Sequence, residues 1–180
     1  GTLYTSTTYP GRKGYAMYYT GYFRQCGWGA LFYNNTGKDI IITKVHMLIS
    51  ANNGSFKAIF SCKDVGTSVP NSSAFSKIGN EFNVTNYGSD ITAWTSATVK
   101  ENITIAKNHY FIVGVKSTNM GSSNYFNIAR TNNNNKKNCY YLENAANNTT
   151  SGTFVRVTET WKSQTPEIYI DYKDASQPTY

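Results

Sequence analysis

The chain has 180 residues and a formal net charge of +7, with 17 Lys and Arg against 10 Asp and Glu. Twenty-one Asn and 15 Tyr stand beside only two His; amides and phenols bind by hydrogen bonding and stacking, and do not readily supply a general base, a hard-metal cage or a phosphate cradle at neutral pH. The length suits one domain without disulfide staples, no apolar run approaches the about 18–20 residues of a membrane span, and the scattered basic residues form no nucleic-acid stripe.

In chain order, residues 1–27 come first and differ from the rest, with six Tyr, five Gly and few aliphatic side chains. They read as an N-terminal arm that packs on a neighbouring subunit through Tyr4, Tyr9, Arg12, Tyr15, Tyr18 and Tyr22, or as a loosely held terminus with at most an edge strand. The chain begins at Gly1 instead of Met, which reads as trimming by processing or at a boundary, and no signal peptide is visible.

A single domain is expected over 28–180. Residues 28–33 form a short strand closed by Asn34-Asn35-Thr36-Gly37, and 40–49 begin as an apolar run that shifts into near alternation. Asn52-Asn53-Gly54 predicts a hairpin into 55–62, with Phe56, Ala58 and Phe60 on one face. A turn-rich stretch over 63–90, read as a long surface loop with one or two short strands, precedes expected strands at 91–99, 102–106, 109–116 and 124–130. The Asn132–Asn135 tract with Lys136-Lys137 reads as a polar loop. Strands at 139–142, 154–158 and 168–172 complete the series, the last placing Ile168, Ile170 and Tyr172 opposite Tyr169 and Asp171. No window keeps a helical period, so roughly nine to eleven short strands predict an all-β, two-sheet antiparallel β-sandwich, jelly-roll-like.

Cys26, Cys62 and Cys139 lack metal-ligand spacing and are odd in number, which favours buried thiols formed in a reducing cytoplasm. Seven N-x-S/T sequons exceed the chance expectation of roughly four too little to imply glycosylation. His46 and His109 lie in apolar runs and read as packed residues; no GxSxG elbow, carboxylate pair or calcium loop appears, so no catalytic residue, metal or cofactor is expected. The remaining chemistry is aromatic. Trp94, Tyr125 and Trp161 are the candidate ligand platforms, with core packing as the alternative for each.

Residues 102–115, running from Asn102-Ile-Thr-Ile-Ala through His109-Tyr-Phe-Ile-Val-Gly-Val, follow a pattern of short strand, tight turn and aromatic-aliphatic strand. Together with the segments at 28–33, 42–49 and 54–60 they resemble bacterial and phage surface β-sandwich modules over roughly residues 28–172. The resemblance implies a non-catalytic virion surface protein (fibre, head-decoration or receptor-binding module). Its expected partners are copies of itself as a homotrimer, other virion proteins and a host cell-surface glycan, with no nucleic acid and no membrane insertion. A secreted carbohydrate-binding or adhesin module is the alternative, and a glycan-acting enzyme a more remote one.

Overall fold

A computed structural model describes residues 1–5, 14–18, 27–88, 90–121, 123–129, 139–143, 147–158 and 165–176. Among these residues every regular element is a strand. The first part of the chain gives β1 (Thr2–Tyr4), β2 (Gly14–Tyr18), β3 (Gly27–Tyr33), β4 (Ile40–Met47), β5 (Ile49–Asn52) and β6 (Lys57–Gly66). The middle gives β7 (Ser72–Ala74), β8 (Lys77–Asn83), β9 (Thr95–Thr98), β10 (Thr104–Ile105) and β11 (Tyr110–Ser117). The last are β12 (Tyr125–Ala129), β13 (Cys139–Glu143), β14 (Thr153–Arg156) and β15 (Ile168–Asp174). These 15 strands outnumber the expectation because residues 40–52 divide in two and because very short strands such as β1 and β7 carry little sequence signal.

All pairings are antiparallel, and the strands form a two-layer β-sandwich. One layer is the seven-stranded sheet β7-β14-β13-β3-β11-β6-β8. The other joins a five-stranded sheet, β1-β15-β4-β10 with β9 also on β4, to the three-stranded sheet β2-β12-β5. The run 40–52 links those two, since its first part is β4 and its last part β5. Between the layers lie Ile40, Ile42, Val45, Met47, Phe60, Cys62, Phe111 and Val113, all at most 1% exposed.

The parity of β4 explains its odd sequence pattern. Ile40 and Ile42 point inward at even positions, whereas Val45, Met47, Ile49 and Ala51 do so at odd ones. A bulge opposite Asp171 and Tyr172 inserts Thr43 and resets the alternation, so both halves bury their apolar face.

The seven-stranded sheet curls until its ends meet. Phe75 and Ser76 connect β7 to β8, and their backbone bonds to both flanks, Phe75 N to Gly152 O and Cys62 N to Ser76 O. Phe154 on β14 thereby reaches across the curl to Gly29 and Gly114. A Cβ on Gly114 would sit 2.6 Å from both the Phe154 ring and the Trp28 carbonyl, which is why no side chain is present there. Lys116 is fully buried inside this curl, 5.6 Å from the Phe75 ring centroid, and its Nζ donates to Asn148 Oδ1 at 2.7 Å and to the Ser151 carbonyl.

The turn at Asn52-Asn53-Gly54 is not a hairpin. Asn53 and Gly54 adopt φ of 59° and 110° as such a turn requires, but β5 pairs with β12 while β6 pairs with β11 and β8. The reversal carries the chain from one layer to the other. Asn124 holds it there by donating Nδ2 to the Asn53 carbonyl at 2.6 Å.

Within 1–27, Thr2–Tyr4 pairs with β15 and Gly14–Tyr18 with β12, so both are strands of this chain's own sheets. Cys62 and Cys139 are buried free thiols, and burial together with the Asp64 charge pushes Cys62 up to about 12. Cys26 and the 132–137 tract lie outside the described residues.

Candidate functional site

The outer face of the five-stranded sheet carries the richest group of chemically capable side chains. Because inner and outer positions alternate, burying Ile168, Ile170, Val45 and Met47 forces Tyr169, Asp171, His46 and Lys44 outward. Register then aligns them in two transverse rows. One runs Tyr4–Tyr169–His46–Ser96 across β1, β15, β4 and β9; the next runs Thr2–Asp171–Lys44–Thr98.

The first row is a stack. The imidazole of His46 and the ring of Tyr169 lie 3.9 Å apart and 9° from parallel, and Tyr4 covers Tyr169 at 5.2 Å and 28°. Trp94, just before β9, meets Tyr169 edge-on at 4.7 Å and 87°. Such offset and edge contacts fix ring orientation, each contributing about 0.5–1.5 kcal/mol beyond area burial. Burial first, then the Asp171 charge and Tyr4, raises the Tyr169 hydroxyl above its ordinary range.

His46 is held from both sides. Its Nε2 lies 2.9 Å from Asp171 Oδ2 and its Nδ1 2.5 Å from Ser96 Oγ. With Asp171 ionised, the network places the proton on Nε2 and leaves Nδ1 to accept from the Ser96 hydroxyl. Thr2 Oγ1 completes the set by donating to Asp171 Oδ1 at 3.2 Å. The order Ser–His–Asp is that of a proton relay, but with the two ring nitrogens exchanged relative to the serine-protease arrangement, and one face of the ring is closed by Tyr169.

The second histidine serves a turn. His109 Nδ1 lies 2.9 Å from Asp64 Oδ1, and the same carboxylate accepts from Gly66 N and Ala106 N. Burial pushes Asp64 up, but the hydrogen bonds from Ala106, His109 and Gly66 outweigh it and hold the carboxyl below its usual range. Among the described residues no group of three or more His, Cys, Asp and Glu is placed to hold a metal ion.

Of the residues singled out from sequence, Trp94 and Tyr4 meet on the ring of Tyr169. Tyr125 is half-buried on β12, in the three-stranded sheet. Tyr15 and Tyr18 occupy register positions on β2, opposite Ile128 and Tyr125. Trp161, Tyr9, Arg12 and Tyr22 lie outside the described residues. The centre of the cluster, Tyr169 with His46, Asp171 and Ser96, escapes the sequence reading. The alternation at 168–172 turns Tyr169 and Asp171 away from the core, yet nothing local shows that β4, β9 and β1 bring partners to them.

The chain matches no protein family, and comparison with curated proteins and with solved structures finds no match.

Proposed function

We propose that this chain is a non-catalytic surface module of a phage virion, a fibre, decoration or receptor-binding part, that attaches to a host surface polymer through the outer face of its five-stranded sheet. The observation carrying this reading is the Tyr4–Tyr169–His46 stack with Trp94 at its edge. The stack holds the exposed ring of Tyr4 in a fixed orientation, and that ring with Asp171, Lys44, Ser96 and Thr98 alongside suits a ligand with both C–H faces and hydroxyls, because the ring takes the apolar side and the polar groups the rest. Buried free thiols at Cys62 and Cys139 fit folding in a reducing cytoplasm before particle release. The strand pattern's likeness to phage surface modules supports the virion setting, and such parts assemble symmetrically, here as a homotrimer with other virion proteins as neighbours. A secreted carbohydrate-binding module would use the same face.

The experiment is adsorption of the purified chain to host cells, with its oligomeric mass measured alongside. A trimer whose adsorption is lost in Tyr169→Ala, at unchanged thermal midpoint, supports the reading; a monomer that adsorbs equally well with and without the ring contradicts it.

A second reading is favoured by one observation, the Ser96–His46–Asp171 chain of hydrogen bonds. In a glycan-acting hydrolase, Ser96 Oγ would attack an ester carbonyl as His46 Nδ1 takes its proton; the ester C–O bond then breaks, the imidazolium returns the proton to the departing alcohol, and water hydrolyses the acyl-serine. Ester turnover that is present in the wild type and abolished in Ser96→Ala would replace the first reading with this one.

A further inference from the structure

Where β1 of one layer meets the ends of β3 and β11 in the other, the surface opens into a hollow of about 230 Å³ lined chiefly by Tyr4, Thr5, Leu31, Tyr33, Asn35 and Tyr110. We propose that this hollow binds a single uncharged pyranose ring, a terminal or branch sugar of the polymer that lies along the adjoining sheet face. The inference rests on the attachment reading above, and Tyr4 belongs to both surfaces.

Four observations converge. First, Tyr4 and Tyr33 are the most exposed large hydrophobic side chains among the described residues, at 45% and 42%, and both border this one hollow. Second, each is braced from behind: Tyr4 rests on Tyr169, and Tyr33 leans on its cross-strand partner Tyr110 at 4.8 Å and 52°. The exposed ring faces are therefore set before a ligand arrives, which lowers the ordering cost of binding. Third, no lining residue is charged, although the chain carries a net +7. An anion would gain no ion pair here, and a quaternary ammonium would find aromatic faces but no carboxylate. Fourth, polar capacity remains at the rim: among the described residues no hydrogen bond engages the Asn35 amide or the hydroxyls of Tyr33 and Tyr110.

The volume decides between one ring and many. Pockets for larger ligands run to roughly 300–1,000 Å³, so this hollow holds one ring, while the chain beyond it lies on the open face. Stacking of a sugar's C–H face on Tyr33, with hydroxyls to Asn35 and Tyr110, is the binding mode.

The test is an NMR titration of the ¹⁵N-labelled full chain with the methyl glycosides of glucose, galactose, mannose and N-acetylglucosamine, with glucuronate and choline as charged probes. At least one neutral glycoside is expected to shift the amide signals of Tyr4, Tyr33, Asn35 and Tyr110, with a dissociation constant of order 1 mM. Tyr33→Ala should weaken that binding at least about tenfold, and Asn35→Ala, an exposed change that leaves the core intact, about threefold. The proposal is overturned if all four glycosides leave these signals unmoved up to about 50 mM, or if glucuronate or choline moves them as strongly. It is equally overturned if Tyr33→Ala and Asn35→Ala both bind like the wild type. Cell adsorption that survives Tyr33→Ala but is lost in Tyr169→Ala sinks the pocket and leaves the attachment reading standing.

Discussion

Asn34 shows how much structure one amide can organise. It is fully buried, and its Nδ2 serves the carbonyls of Lys38, Ile105 and Ala106 while its Oδ1 accepts from Thr36 N and Thr36 Oγ1. One side chain thereby ties the β3–β4 turn to the turn before β11. Removing it leaves the buried Ile105 carbonyl and several part-buried groups without this partner, and a buried group left unpaired costs about 1–3 kcal/mol. Asn34→Ala is therefore expected to lower unfolding stability by about 2–4 kcal/mol in denaturant melts, whereas Asn35→Ala next to it changes stability by no more than about 0.5 kcal/mol. The large Asn surplus thus has unequal members. Asn53, Asn102 and Asn108 take left-handed turns at φ of 59°, 54° and 63°, whereas Asn34 is buried as a hub.

Glu167 is the opposite case. It is 2% exposed, its Oε1 has no hydrogen-bond partner among the described residues, and burial pushes its carboxyl up to about 7. The unfolded carboxyl ionises near its ordinary value of 4.5, so between that pH and about 7 the unfolded state sheds a proton that the folded state keeps. Stability should fall as pH rises through that window and level off above it, by on the order of 2 kcal/mol. Glu167→Gln, which mimics the neutral acid, is expected to flatten this slope and to be the more stable protein at pH 8 but not at pH 4. Parallel pH–stability curves for the two proteins would contradict this account.

At the scale of the element, legibility depends on whether the cause is local. Strands at 28–33, 109–116, 139–142 and 168–172 are close to those the apolar pattern predicts, because alternation over a few residues reports burial directly. Pairing is not local. The Asn53-Gly54 reversal has hairpin chemistry, yet β5 and β6 separate into different layers, β5 pairing with β12 and β6 with β11 and β8, strands far from them in sequence. The curl of the seven-stranded sheet is equally hidden, since it depends on Gly29 and Gly114 leaving room for a Phe distant in sequence. Gly114→Ala therefore pushes a methyl into both a ring and a carbonyl, with an expected cost of about 1–3 kcal/mol or more in thermal or chemical melts. Gly88→Ala differs in cause: nothing lies within 4 Å of the place its Cβ would take, and only its φ of 67° resists the change.

At the scale of the whole molecule, the two layers do different work. The seven-stranded sheet spends both faces on packing, one against the other layer and one around Phe154, Phe75 and Lys116. The five-stranded sheet buries one face and presents the other, and that asymmetry is what brings Tyr4 and Asp171 to the surface, with His46 buried beneath Tyr169. Only part of the site is legible in the sequence. Trp94 and Tyr4 stand out as aromatic side chains beside a loop or in a Tyr-rich terminus, but Tyr169, the ring on which both converge, has the sequence surroundings of an ordinary strand residue. Its role follows from three cross-strand registers that bring residues far apart in sequence onto one surface.

The most direct test of the attachment face is a glycan array probed with the wild-type chain and with Tyr169→Ala, both checked for equal thermal midpoints. The account predicts at least one glycan bound by the wild type and lost in the variant. A flat array for the wild type, or a bound glycan indifferent to the loss of the Tyr169 ring, would contradict it.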